Sequence, residues 1–60
     1  MDPDENLAQQ RRSAARLMEA IENQRTIDLD DVLALSELVI ALDNWIAGGG
    51  FLPAAWQKGR

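Results

Sequence analysis

Acidic residues are the side chains in this sequence that lie close enough together to do chemistry. Asp28, Asp30 and Asp31 fall within four consecutive positions, and carboxylate oxygens are ligands that Mg²⁺ and Ca²⁺ prefer. A calcium loop also has alternating oxygen ligands, a central glycine and a closing glutamate, and that pattern does not follow here. Because carboxylates cap helix N-termini and interact favourably with the helix dipole, the start of a helix explains all three. We expect no metal and no other cofactor.

Residues that act as catalytic nucleophiles or bases are scarce. The sequence has no His, no Cys and no Tyr, which removes the commonest general base and the thiol nucleophile. Its hydroxyl side chains include Ser13, Thr26 and Ser36, and no nucleophile–base pair is apparent. A site made of carboxylates alone needs a pocket, and a chain of 60 residues can hardly build one. The sequence therefore predicts a protein that is not an enzyme.

Two further patterns resemble anion-binding sites. Arg12 and Arg16 lie one helical turn apart and could grip a phosphate or carboxylate, but the favoured interpretation is a solvated face paired with Glu19. Glycines occupy positions 48–50. A phosphate-binding loop precedes a helix and carries Lys-Ser or Lys-Thr, whereas these glycines follow a predicted helix and lack that pair. Their expected role is to end the helix.

The chain is expected to fold as two helices and a tail. Pro3 suits the first turn of a helix, where its missing N–H costs nothing, and the polar segment 23–28 suits a short connection between helices. The predicted helices cover about 3–24 and about 29–47, and a tail covers 48–60. The fold class is all-α: one small domain over residues 1–60, a two-helix antiparallel hairpin with an ordered C-terminal tail.

The second helix is predicted to be apolar on two sides. Residues at three- and four-residue steps form its main face, namely Val32, Leu35, Leu38, Val39, Leu42, Trp45 and Ile46. At about 100° per residue, a second stripe of Leu29, Leu33 and Ile40 lies well away from that face. One partner helix cannot cover both, so we expect self-association or another protein to complete the hairpin. The alternative is that the C-terminal tail folds back over the second stripe.

The first helix has one narrow apolar stripe, which includes an arginine. Its members are Leu7, Ala14, Leu17, Met18 and Ile21, with Ala8 and Ala15 at the margin. Arg11 lies in line with them, and antiparallel packing places it near Leu42 and Asp43. It either pairs with Asp43 or with an acidic partner group, or it covers the edge of the core with its aliphatic stem while its charged end reaches water.

The tail carries large apolar side chains directly after the glycines. Phe51, Leu52 and Trp56 could form a hydrophobic anchor for a partner, because aromatic residues dominate interface energetics. They could equally form a return segment in which Trp56 packs on Trp45 and closes the core. The residues predicted to bind a partner are therefore Leu29, Leu33, Ile40, Trp45, Phe51, Leu52, Trp56 and Arg11.

The net charge of −4 is unevenly distributed along the chain. Residues 28–47 contain five acidic residues and no basic one, whereas nucleic-acid binding normally rests on clustered Lys and Arg. No apolar run approaches the roughly 18 residues that span a bilayer, and the N-terminus is acidic where a signal peptide is positive. We expect a cytoplasmic protein that binds neither nucleic acid nor membrane and that exists as a homo-oligomer or as a subunit of a complex.

The segment 42–56, Leu-Asp-Asn-Trp-Ile-Ala-Gly-Gly-Gly-Phe-Leu-Pro-Ala-Ala-Trp, resembles small uncharacterised proteins of actinobacteria and their phages. In those proteins an acidic amphipathic helix ends in a Trp, and a Gly-Gly-Phe-Leu-Pro segment and a second Trp follow. The resemblance covers 15 of the 60 residues. It implies a small helical accessory protein of phage origin and carries no assigned chemistry.

The expected function is that of a protein–protein interaction module that docks on a larger assembly or on a host protein. The alternative is a small helix-turn-helix-like regulator that acts on nucleic acid. A missing third helix and the acidic second helix weigh against that alternative.

Overall fold

Two helices and a short tail make up the structure, a computed structural model that describes residues 1–57. Helix α1 spans Pro3–Glu22, helix α2 spans Leu29–Ala47, and a single 3₁₀ turn spans Ala54–Trp56. No strand occurs within those residues. The predicted all-α hairpin with a tail is confirmed, while the part of the predicted tail over 58–60 lies outside the described residues.

Both helices begin with the same local device, an aspartate cap followed by acidic residues. The Asp2 carboxylate accepts a hydrogen bond from the Glu5 N–H at 3.0 Å, and the Asp28 carboxylate accepts one from the Asp30 N–H at 2.9 Å. These bonds satisfy backbone donors that have no partner inside the helix. The predicted role of Asp28 as a helix cap is confirmed.

Both helices also end in the same way, although only one end was predicted closely. In α2 the Gly50 N–H donates to the Trp45 carbonyl at 2.8 Å, and Gly49 takes a left-handed φ of +97°. In α1 the Arg25 N–H donates to the Ala20 carbonyl at 2.8 Å, and Gln24 takes the left-handed φ of +54°. This is the arrangement in which a left-handed residue closes the last helical turn. Helix α1 ends at Glu22, two residues earlier than expected, because Gln24 takes the left-handed conformation that closes the last turn.

The helices lie side by side and antiparallel in a single layer. The Asn6 side-chain amide donates to the Leu38 carbonyl at 3.0 Å, and Arg16 near the other end of α1 contacts Asp31 at 2.9 Å. The smallest dimension of the molecule is 14 Å, against 39 and 23 Å in the other directions. A helix with its side chains is about 10–12 Å across, so this layer is one helix thick, and no third α-helix packs on its broad faces within residues 1–57.

The apolar stripe predicted on α1 is buried in part. Leu7 is buried and Ala14 and Leu17 are half-buried, whereas Met18 and Ile21 are exposed.

Three residues outside the predicted stripe are also buried, at intervals of seven residues: Asn6, Ser13 and Ala20. The physical reason is that small or hydrogen-bonded side chains permit close approach of the helices. Asn6 donates to the α2 backbone and accepts from Gln10 at 2.7 Å, so its burial leaves no unpaired amide group.

The contact face of α2 is also narrower than predicted. Leu42 is buried, and Leu35, Leu38, Trp45 and Ile46 are half-buried, as expected of core residues. The predicted main face also included Val32 and Val39, and both are exposed. The thin α1 helix covers only the centre of that face, which leaves its edge uncovered.

Candidate protein interface

The outer side of α2 presents exposed aliphatic residues. Leu29 is 76% exposed, Leu33 57% and Ile40 60%. Leu29 lies nine residues, or about two and a half turns, before Leu38, and the Leu38 carbonyl faces Asn6 of α1. The stripe therefore points away from α1. The alternative expectation, that the tail covers these three residues, is not met by the described part of the tail, residues 48–57.

Val32 and Val39 widen this stripe towards α1. They are exposed and lie seven residues apart, which places them on one side of α2, between the stripe and the core. Together the five residues form what we call the α2 surface: Leu29, Val32, Leu33, Val39 and Ile40. Sequence reasoning assigned the two valines to the core, because helical spacing alone does not show how far a single neighbouring helix reaches around α2.

The middle of the α2 surface contains one polar residue, Ser36. Its hydroxyl donates to the Val32 carbonyl one turn earlier, at 2.9 Å. A hydroxyl that is already hydrogen-bonded can be covered by a partner with little desolvation cost. Ser36 therefore interrupts the α2 surface chemically but does not prevent its burial.

Acidic residues lie along one side and beyond one end of the α2 surface. Asp30 and Glu37 lie seven residues apart along one edge. Asp43 lies seven residues after Ser36 and so in line with it, just past Ile40 at the C-terminal end of the surface, where it also lines the groove described below. No basic residue occurs from Thr26 to Gln57. The surface is thus apolar in the middle and negative along one side and at one end.

Ion pairs follow a different scheme from the predicted one. Within residues 1–57, Arg12 pairs with Glu5 at 3.3 Å, Arg16 with Asp31 at 2.9 Å, and Arg25 with Glu19. The predicted pairing of Arg12 and Arg16 with Glu19 is therefore wrong. The hydrogen bond that Arg16 donates to the Asp31 carboxylate, together with the negative charge of Asp31, raises the pKa of Arg16. Among the acids of α2 and its cap, Asp31 is the one with an ion-pair partner in the described chain.

Arg11 does not pair with Asp43 in the described part of the chain. The helix register explains this result. Asn6 lies opposite Leu38 and Arg16 opposite Asp31, so Arg11 lies level with the middle of α2 and not with its C-terminal end. Arg11 is exposed, as expected of an arginine whose charged end reaches water.

The tail folds back onto its own chain and crosses to the start of α1. The Ala54 N–H donates to the Asp4 carboxylate at 2.6 Å, and Pro3 and Pro53, the neighbours of these two residues, are fully buried. The return segment is thus present. Phe51, however, is the residue that packs on Trp45, edge to face with ring centroids 5.5 Å apart.

Trp56 occupies a different place from the predicted one. It lies over an open groove of about 230 Å³ that is otherwise lined by Gln10, Val39, Leu42, Asp43 and Ile46. It remains 42% exposed and shares the lining of this groove with the buried Leu42. Its predicted packing on Trp45 is not seen among residues 1–57, where the one aromatic pair is Trp45–Phe51.

The turn that starts the tail depends on a glycine beneath an indole ring. The Trp45 Nε1–H donates to the Phe51 carbonyl at 2.9 Å, which holds the ring over Gly50. A Cβ atom on Gly50 would overlap that ring. Phe51 and Trp45 are therefore brought together by the backbone of Gly50 as much as by their own apolar surfaces.

Gly50→Ala is expected to destabilise the fold by about 1–3 kcal/mol, because the added methyl group forces the Trp45 ring and the tail to move. Thermal unfolding followed by near-UV circular dichroism would measure this effect. Gly48→Ala is the matched control, since Gly48 has an ordinary φ of −82° and its Cβ would lie 3.2 Å from its nearest neighbour, a carbonyl oxygen. An equal loss of stability for the two variants would contradict this role of Gly50.

The eight predicted partner-binding residues do not form one surface. Leu29, Leu33 and Ile40 lie together on α2, Trp45 and Phe51 form a pair at the hairpin's open end, and Leu52, Trp56 and Arg11 lie elsewhere on the tail and α1. The first group belongs to the α2 surface and is the largest exposed aliphatic cluster on that helix.

Neither a metal-binding cluster nor a membrane-spanning helix is present within residues 1–57. No group of three or more acidic side chains is arranged to hold a metal ion, and neither helix is long and apolar enough to cross a bilayer. Comparisons with protein families, with curated proteins and with solved structures find no match to this chain.

Proposed function

We propose that this chain is a protein–protein interaction module that binds through the α2 surface. The observation that carries the proposal is the exposure of Leu29, Leu33 and Ile40 along one side of a single helix. Burial of each side chain would be worth roughly 1.5–3 kcal/mol. A small single-core domain holds only about 3–5 kcal/mol in all, so covering this surface would alter the stability of the whole protein.

The nature of the remaining surface supports binding over catalysis. The groove under Trp56 is open and lined mainly by aliphatic side chains, and no His, Cys or Tyr is available in the chain. The resemblance of segment 42–56 to small actinobacterial and phage proteins favours an accessory role, in which the chain docks on a larger assembly or on a host protein. The excess of acid on α2 disfavours the alternative of a nucleic-acid regulator.

Leu33→Asp is expected to weaken association strongly, because it places a charge in the centre of the α2 surface. Glu37→Ala, one turn further along at the edge of that surface, is expected to have a smaller effect. Sedimentation equilibrium at micromolar concentration measures self-association, and pull-down with the tagged full chain, read by mass spectrometry, measures binding to other proteins. Circular dichroism of both variants checks that the hairpin remains folded.

The proposal predicts at least one associated species that Leu33→Asp loses and Glu37→Ala largely keeps. A folded chain that stays monomeric and captures no protein in a Leu33-dependent manner would overturn it.

A further inference from the structure

We propose that the occupant of the α2 surface is a cationic amphipathic helix of another protein. This inference rests on the interaction function proposed above and specifies the partner. Two properties of the surface carry it, namely its length along α2 and the sign of the charges at its edges.

The length of the surface matches a helical ligand. Leu29 to Ile40 covers eleven residue steps, about 16 Å at 1.5 Å per residue, which is three turns of a partner helix. The exposed side chains form a ridge on one side of α2. The small Ser36 side chain, whose hydroxyl is already bonded to the Val32 carbonyl, leaves a depression in that ridge. A helix with apolar residues at three- and four-residue steps packs against such a surface.

The charges at the edges specify a basic partner. Asp30 and Glu37 border one side, Asp43 lies at the C-terminal end, and none of the three has an ion-pair partner within residues 1–57. A helix with Lys or Arg along one side of its apolar stripe and at one end would meet opposite charge there. Complementary charge of this kind speeds association and selects among partners.

A second copy of this chain fits the same surface less well. In an antiparallel pair of α2 helices centred on Ser36, equivalent edges lie on the same side of the interface. The two Glu37 carboxylates would therefore approach each other, and the Asp30 carboxylates of both copies would lie on that same side. Like charges across an interface are unfavourable, and no basic residue of α2 is present to offset them.

The test uses two synthetic helical peptides, each about four turns long, that share a leucine stripe and differ only in having lysine or glutamate at the flanking positions. Each is labelled with fluorescein and titrated with the full chain, and binding is followed by fluorescence anisotropy. The leucine–lysine peptide is expected to bind, with an affinity that falls as salt is raised. The leucine–glutamate peptide is expected not to bind.

Variants of the full chain locate the binding surface. Leu33→Gln should weaken binding of the lysine peptide by about tenfold or more, since it removes apolar burial without adding charge. Glu37→Gln should weaken it by up to about fivefold, the range for a surface ion pair. Glu22→Gln changes the net charge equally but should have no effect, because Glu22 lies nine residues after the buried Ser13 and so on the opposite side of α1.

The outcomes separate this inference from the function on which it rests. If the lysine peptide fails to bind, or if Glu22→Gln weakens binding as much as Glu37→Gln, the cationic partner is wrong. If a Leu33-dependent self-association or protein capture is nevertheless observed, the interaction function stands and a different occupant, such as a second copy, fills the surface. If neither peptide binding nor Leu33-dependent association is observed, the α2 surface is not a binding site.

Discussion

Leu42→Ala is expected to unfold a large fraction of the protein, whereas Ile40→Ala, two residues earlier, is expected to leave it folded. Leu42 is 3% exposed and shares the lining of a groove with Trp56 of the tail. Truncation of a buried leucine costs about 2–5 kcal/mol, and a small single-core domain holds only about 3–5 kcal/mol. The loss is therefore comparable with the whole free energy of unfolding.

Ile40 provides a matched control because the same kind of change is made on the opposite side of the same helix. Its side chain is exposed, and substitutions at such positions usually change stability by about 0.5 kcal/mol or less. Urea denaturation followed by far-UV circular dichroism would measure both variants at low protein concentration, where association contributes least. A similar loss of stability for Leu42→Ala and Ile40→Ala would contradict the structure, in which Leu42 is buried in the core and Ile40 is exposed.

The same pair separates folding from binding. Ile40→Ala should weaken association through the α2 surface while leaving the monomer intact, and Leu42→Ala should act on folding first. A protein of 60 residues can bury only a small core. Helix α2 nevertheless leaves five aliphatic residues outside that core, two of them at its edge, and their apolar surface does not stabilise the monomer.

Local signals in the sequence were sufficient to predict the helices. Pro3 in the first turn marks the start of α1, Asp28 before Leu29 marks the start of α2, and the glycines after Ala47 mark the end of α2. These features act through nearest neighbours, since a cap or a left-handed residue satisfies backbone groups of its own turn. The end of α1 escaped the same reasoning because Gln24 adopts the left-handed conformation that glycine usually takes.

The burial pattern of α1 could be read from periodicity only in part. Apolar residues at helical spacing predicted a face that includes the buried Leu7 but also Met18 and Ile21, which are exposed. Asn6, Ser13 and Ala20 were not part of that face and are buried as well. Asn6 is buried because its amide finds the Leu38 carbonyl on the other helix, and that partner is distant in the sequence. The position of the tail depends in the same way on a distant contact, since Asp4 holds Ala54.

Deleting residues 51–60 is expected to lower the helical content and the melting temperature sharply. The deletion removes the fully buried Pro53, the acceptor of the Trp45 indole N–H and the Trp56 ring that shares the lining of the groove with Leu42. Pro3 at the start of α1 loses its cover together with them, because Asp4 and Ala54 are joined by a hydrogen bond. Trp56→Ala alone should cost less than the roughly 3–5 kcal/mol of a fully buried tryptophan, since the ring is 42% exposed.

A comparison of two aspartates tests how the tail is held. Asp4 and Asp30 are each the second residue of a helix, and each helix is capped by another aspartate. Asp4→Ala and Asp30→Ala should therefore lose the same interaction with the helix dipole. Asp4→Ala should cost about 1 kcal/mol more in the free energy of unfolding, because it alone also removes the hydrogen bond to the Ala54 N–H.

Two results of the deletion would change the role of the tail. A truncated chain that folds normally but no longer captures its partner would make the tail a binding element, as its exposed Phe51 and Leu52 permit. A truncated chain that folds and binds like the full chain would make the tail dispensable, and equal costs for Asp4→Ala and Asp30→Ala would agree with that. The structure favours neither result. The tail packs against an edge of α2 and the first turn of α1 and buries a proline there, and no other segment of residues 1–57 could take over these contacts.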